Sequence, residues 1–208
     1  MPTLLASSLV RLDRRRGRLP ATALRGLLVS IAALAAGAAE AGDVSLGLGA
    51  AASRGEGRCV DAFPCDRSSG GGKAFGAYRF DDAWDAQVLY FGGHSFKGGD
   101  TTSLGTEFGG TFKVSGLGLS AGYRWTLAPE WSLTGRAGIA AVRTRFDYAD
   151  IDLDSASKST AQPLAGLRLA YRATPQVDIG LDYDVTRFKV HTTHGPLHML
   201  GLSVQFTF

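Results

Sequence analysis

No stretch of 18 or more consecutive apolar residues occurs in this 208-residue chain. No helix of ordinary length is therefore available to cross a bilayer. Cysteine is scarce. Cys59 and Cys65 are the only two, and no second pair of Cys or His stands at zinc-finger spacing, which argues against a structural zinc site. Glycine patterns that cradle nucleotide phosphates are also missing. The 28 glycines fall instead in short alternating segments and turns. Charge is modest at 20%, while 45% of residues are hydrophobic and 10% aromatic. That is too apolar for a disordered chain, and the abundance of strand and turn formers argues against a helical bundle.

The first 41 residues read as an address. Arg11, Arg14, Arg15, Arg16, Arg18 and Arg25 form a basic n-region. The mostly apolar Gly26–Ala39 follows, and Ala39-Glu40-Ala41 places small residues where signal peptidase reads. This is the layout of a secretory signal peptide, with cleavage expected after Ala41. Arg14-Arg15-Arg16 leaves a twin-arginine signal as the variant reading. The leader holds six of the 22 basic residues and two of the 19 acidic ones, Asp13 and Glu40, so 16 basic and 17 acidic residues remain and the rest of the chain has net charge −1. The basic isoelectric point thus belongs to the targeting segment, and no nucleic-acid partner is expected. In an exported chain, the closely spaced Cys59 and Cys65 are expected to form a disulfide that staples a local loop.

From Asp43 onward the hydrophobic period is two. Leu200, Leu202, Val204, Phe206 and Phe208 alternate with Gly201, Ser203, Gln205 and Thr207. Val177, Ile179, Leu181, Tyr183 and Val185 alternate with Asp178, Gly180, Asp182 and Asp184. Eight such segments occur, at roughly 43–53, 71–80, 84–95, 111–126, 131–147, 160–172, 177–190 and 197–208. Short connections (81–83, 127–130, 173–176) alternate with longer polar ones (54–70, 96–110, 148–159, 191–196). An even strand count with short turns at one end and long loops at the other predicts an all-β fold, an eight-stranded antiparallel up-and-down transmembrane β-barrel over 42–208. Each strand is long enough for a tilted crossing.

Alternation alone does not say which face meets lipid. The aromatics decide it. Phe80, Trp84, Trp125, Trp131 and Tyr171 lie beside the short turns, with Phe206 and Phe208 at the same level. A girdle at one height suits a membrane interface, where a ring with an apolar body and a polar edge is at home. The opposite faces are mostly Gly, Ala, Ser, Asp and Arg, which fits the narrow interior of an eight-stranded barrel.

Simple hairpin arithmetic pairs that interior face. A turn centred on Pro175 sets Arg172 against Asp178 and Arg168 against Asp182. A turn centred on Asp82 sets Phe80 against Trp84 outside and Arg79 against Asp85 inside. A turn centred on Ala128 sets Trp125 against Trp131 and leaves Arg124 and Arg136 facing Ser132 and Ser120. The expected lumen network is therefore Arg79, Arg124, Arg136, Arg168 and Arg172 with Asp85, Asp178, Asp182 and Asp184. Opposite charges paired across strands in so tight a space predict a largely closed lumen.

The stretches Cys59-Val-Asp-Ala-Phe-Pro-Cys65-Asp, Gly72 to Phe80, Trp84 to Tyr90, Gly166 to Arg172, Val177 to Tyr183 and Leu200 to Phe208 resemble, in order and spacing, the OmpA-like transmembrane β-barrels of Gram-negative bacteria, in their small opacity-type branch. The resemblance covers 42–208. It implies residence in the outer membrane among lipid and lipopolysaccharide. It also implies insertion by the barrel-assembly machinery through the terminal Phe208, and a structural or surface role: envelope integrity, adhesion, or binding of a host or surface ligand by the outer loops. A narrow passive channel and a lipid A-modifying enzyme are the alternatives. Catalysis of the latter kind needs a nucleophile beside a His with an orienting acid. His94 and Ser95 are adjacent on a strand and so point to opposite faces, and the stretch around His191, His194 and His198 lacks a matching serine. No catalytic residue, cofactor or metal is expected. A loose His191–His194–His198 site and a calcium site at Asp150, Asp152 and Asp154 are the weaker readings, the latter without the Gly and Glu of an EF-hand loop.

Overall fold

The computed structural model describes residues 43–55, 65–101, 107–148, 155–190 and 193–208. Eight strands follow in chain order: β1 Val44–Gly55, β2 Ser68–Arg79, β3 Trp84–Thr101, β4 Glu107–Ala128, β5 Trp131–Tyr148, β6 Ala156–Thr174, β7 Val177–Val190 and β8 Thr193–Thr207. Each pairs antiparallel with its sequence neighbours, and β1 closes on β8 from Ser45↔Thr207 to Gly55↔Leu197. Closure removes every free sheet edge over the paired length, the condition for strands to cross lipid.

The turns at one end are tight. Pro129-Glu130 joins β4 to β5, and Pro175-Gln176 joins β6 to β7. Between β2 and β3 the Asp81 carboxylate accepts the N–H groups of Ala83 and Trp84 at 2.8 and 2.7 Å. These bonds hold that carboxyl below its ordinary pKa.

Two of the three hairpin registers follow the arithmetic: Arg79↔Asp85, and Arg172↔Asp178 with Arg168↔Asp182. The third differs. Trp125 opposes Leu133, not Trp131, and Arg124 and Arg136 oppose Thr134 and Gly122. A bulge between Thr126 and Ala128 moves the turn to Pro129-Glu130, shifting the ladder by two residues. A shift of two leaves every side chain on its expected face.

The faces are inverted relative to a soluble barrel. Leu181, Val204 and Phe206 are exposed, while Arg168 and Asp182 are 3% and 4% exposed. All seven girdle aromatics are exposed on the outer wall. Trp131 packs on Tyr171, and Trp84 on Tyr123, a ring that joins the girdle from β4. On β5 the outward apolar face runs from Trp131 to Ala141. That is roughly 33 Å of strand, or about 25 Å of height at a 40° tilt, the thickness of the apolar band of such barrels.

Several strands continue past the expected ends, β3 to Thr101, β4 from Glu107 and β6 from Ala156. Beyond the apolar band the two faces exchange character. Outward positions become Arg54, Lys97, Lys113, Arg143, Arg145, Arg187 and Lys189, all exposed, while inward ones become Phe96, Phe112, Phe146, Phe188 and Leu197, all buried. On β3 a bulge sits between Phe91 and His94. Gly93 there has φ +83°, a conformation that glycine adopts without steric cost. It turns the inward set from Asp85, Gln87, Leu89 and Phe91 to His94 and Phe96. The β6–β7 ladder stops at Ala165↔Val185. Beyond it the Thr186 hydroxyl donates to the Pro163 carbonyl at 2.9 Å, at a place where proline has no N–H to give.

Candidate functional site: a two-storey lumen

The lumen is built in two layers. Toward the short turns it is charged. Asp182 on β7 is the hub: Lys73 Nζ lies at 3.2 Å and Arg168 Nη1 at 3.6 Å, and the Ser203 hydroxyl donates to it from β8. Lys73 also donates to Asp184 at 2.8 Å. Across the lumen, Arg136 on β5 reaches past β4 to Asp85 on β3, with Nη2 at 3.1 Å and Nε at 3.3 Å from its two oxygens. Gly122 makes this possible, because a Cβ there would stand 2.5 Å from Asp85 Oδ1. Gly180 likewise leaves room for the Arg168 guanidinium, 2.8 Å from its notional Cβ. Arg168 and Lys73 both lie over the Phe75 ring, at 5.0 and 5.6 Å from its centre, a favourable placement for cations in a desolvated space.

The expected network is thus partly re-partnered. Arg168 meets Asp182, and Arg172 meets Asp178 at 3.9 Å from a half-exposed position at the barrel mouth. Arg79 faces Asp85 in register, but its guanidinium bonds Asp43 at 2.8 Å. Directly opposed side chains in a barrel this narrow compete with partners across the lumen, and Arg136 takes Asp85. Arg124 is half-buried at the same level. Lys73 and Phe75 were missed. Their positions four and two residues from Ala77 on the inward face of β2 are the signal that marks them.

Toward the long loops the lumen is apolar. Leu89, Phe91, Phe96, Phe112, Val114, Val142, Phe146, Phe188, Leu197 and Met199 are each 5% exposed or less and pack as one cluster. The Phe112 and Phe146 rings pack tilted at 50° to each other, with centres 4.5 Å apart. This layer adds large apolar side chains to an interior expected to be mostly Gly, Ala, Ser, Asp and Arg. His94 is buried beside Phe91, and neither ring nitrogen has a hydrogen-bond partner among the described residues.

The remaining candidates are dispersed. Cys59, His191, Asp150, Asp152 and Asp154 lie outside the described residues. Cys65 sits just ahead of β2. His198 faces outward, its Nδ1 2.7 Å from the Tyr183 hydroxyl. Ser95 faces away from His94. Among the described residues no group of three or more His, Cys, Asp or Glu side chains is placed to hold a metal.

Comparison with known proteins agrees with this architecture. Among curated proteins none is significantly similar in sequence. Solved structures of similar fold include Ail, the attachment invasion locus protein of Yersinia pestis, in complex with the heparin analogue sucrose octasulfate (21% identity, 80% of this chain and 99% of that one, TM-score 0.50). Neisserial surface protein A is similar at 19% identity over 80% and 96% of the two chains, TM-score 0.54. OprG of Pseudomonas aeruginosa is similar at 14% identity over 80% and 96%, TM-score 0.51. The family model for the outer membrane protein beta-barrel domain matches residues 21–208. With a closed eight-stranded barrel, a lipid-facing apolar band and a family match over most of its length, the chain is an outer-membrane protein and belongs to the outer membrane protein beta-barrel domain family.

Proposed function

We propose that this protein is a structural and surface-interaction barrel whose lumen does not conduct, with adhesion or envelope integrity as its role. The apolar plug carries the reading. A water or ion column through the barrel would have to cross a layer where Phe91, Phe146, Val142 and Leu197 are all but fully buried, and rings so packed exclude water. The ion pairs below add a second obstruction. The outward wall above the lipid is rich in Lys and Arg, a surface that attracts polyanions. That Ail was solved with a heparin analogue supports the same chemistry for the outer end of this chain.

Three further features belong to this reading. Residues 1–41 act as the export signal, removed after Ala41. Cys59 and Cys65 form a disulfide at the first outer loop, in line with the absence of free cysteines among the described residues. The C-terminal strand ending in Phe208 is the segment the assembly machinery engages. The intact mass of the protein from outer-membrane fractions, before and after reduction, tests the first two.

The test of the closed lumen is planar-bilayer conductance of the refolded protein. The expected record is a flat baseline. Replacing Phe91, Phe112 and Phe146 by Ala opens stepwise conductance. Large, stable pores in the unmodified protein would overturn the proposal.

A further inference from the structure

The strongest unassigned feature is a recess on the outer wall, where β3, β4 and β5 leave the apolar band. It has a volume of about 450 Å3 and is lined by Ser95, Lys113, Ser115, Arg143 and Arg145, with Gly93 at the β3 bulge. Ser115 opposes Arg143, Lys113 opposes Arg145, and Ser95 opposes Lys113. These residues point away from the lumen, so the plug and the ion-pair network do not use them.

Two observations give the recess a ligand. The first is charge. Lys113 and Arg145 stand directly opposite each other on neighbouring strands, an arrangement that is destabilising for like charges. Asp147 bonds both, at 2.8 and 2.7 Å, but contributes only one negative charge. Arg143 has no side-chain partner among the described residues. Three cations against one carboxylate leave the recess two positive charges in excess, with serine hydroxyls beside them as further donors. A phosphate monoester carries about that charge, and its oxygens suit a planar guanidinium. The second is height. Tyr90, Leu117 and Ala141 are the last apolar outward residues of β3, β4 and β5, and Arg143 follows Ala141 by two residues, about 7 Å farther along the strand. That is the level at which the acyl region of the outer leaflet gives way to headgroups.

We propose that this recess binds a phosphate group, carried by a phosphorylated glycolipid of the outer leaflet, with Arg143 and Lys113 as its principal donors. The inference rests on the outer-membrane reading and adds to it a named lipid site. Arg54, Arg187 and Lys189 lie at a similar level on β1 and β7, but here three cations converge on one concavity with hydroxyls at its edge.

The test uses the full chain, refolded in a neutral, phosphate-free detergent, as wild type, as Arg143→Ala/Lys113→Ala and as Arg143→Lys. Three probes are titrated by native mass spectrometry: bis-phosphorylated lipid A, the same lipid with its phosphates removed, and inorganic phosphate. Wild type is expected to bind bis-phosphorylated lipid A about tenfold or more tightly than the double variant, the loss of at least one charge-assisted hydrogen bond. Arg143→Lys should fall between them, because a point charge replaces a fork. Dephosphorylated lipid should bind both proteins equally weakly. Inorganic phosphate binding with the same residue dependence and no added affinity from the acyl chains keeps the phosphate site but makes its source solution rather than lipid. Equal binding of wild type and double variant, or equal binding of the lipid with and without phosphates, overturns the proposal. Boiled and unboiled samples are compared on a gel in parallel. A heat-dependent shift in all three proteins means that failure here leaves the envelope reading intact, whereas its absence in wild type removes that reading first.

Discussion

Asp182 offers the sharpest test of the charged storey. Replacing it with Ala removes the anion shared by Lys73 at 3.2 Å and Arg168 at 3.6 Å and the acceptor of the Ser203 hydroxyl. The side chains of Asp182, Lys73 and Arg168 are exposed by only 5, 5 and 3%, so bulk water does not screen the change. Breaking a buried pair from one side costs about 3–5 kcal/mol, because the partner charge is left without compensation. Lys73 keeps Asp184 at 2.8 Å, which offsets part of this. Among the described residues Arg168 makes no second ion pair, and it lies over the Phe75 ring. The expected loss is therefore about 3 kcal/mol, read as a shift of the urea midpoint for refolding into lipid vesicles. A second change, Arg168→Met, should recover much of the loss, since removing both charges removes the desolvation penalty. If Asp182→Ala unfolds within about 0.5 kcal/mol of wild type, the range typical of an inert surface change, the lumen network does not hold the barrel together. If the double variant is no better than the single one, the Arg168 charge is not the source of the penalty.

Other changes read the remaining levels of the structure. Leu181→Arg places a charge on the lipid face of β7, where Leu181 is exposed to the apolar band, and should cost about 2–4 kcal/mol in the same refolding assay, while Arg172→Leu at the mouth should cost much less. Gly116→Val puts a Cβ 2.4 Å from Phe91 Cζ; with that ring fixed in the plug, overpacking by about 1–3 kcal/mol should appear as faster loss of the unboiled band on heating. Asp147 lies on the wall above the lipid, and hydrogen bonds from Lys113 and then Arg145 hold its carboxyl below the ordinary value. A depressed folded-state pKa gives stability that is present above the unfolded value, near pH 4, and lost as pH falls through the folded one. Asp147→Asn should therefore lower stability slightly at neutral pH, the group being exposed enough for solvent to weaken the pair, leave acid pH unchanged, and so flatten the acid limb of the stability curve below about pH 4. An unchanged acid limb would exclude Asp147 as a contributor.

Sequence alone carried the strand count, the order, the inverted faces and the girdle, because each depends on a period of two and on where Trp, Tyr and Phe fall along the chain. Two hairpin registers were readable by counting, since Arg168, Arg172, Asp178 and Asp182 lie close in sequence about one turn. Tertiary structure decided the rest. The bulge at Thr126 moved the third register, and a bulge depends on how a turn closes rather than on local pattern. Asp85 joined Arg136 rather than its neighbour Arg79 because curling the sheet brings β3 and β5 within reach across β4, a distance absent from any linear count. The apolar plug escaped notice for a related reason. Phe96, Phe112, Phe146 and Phe188 occupy positions where alternation persists but its meaning reverses, and only the barrel shows that the outer ends of the strands rise above the lipid, where water lies outside and grease must turn inward.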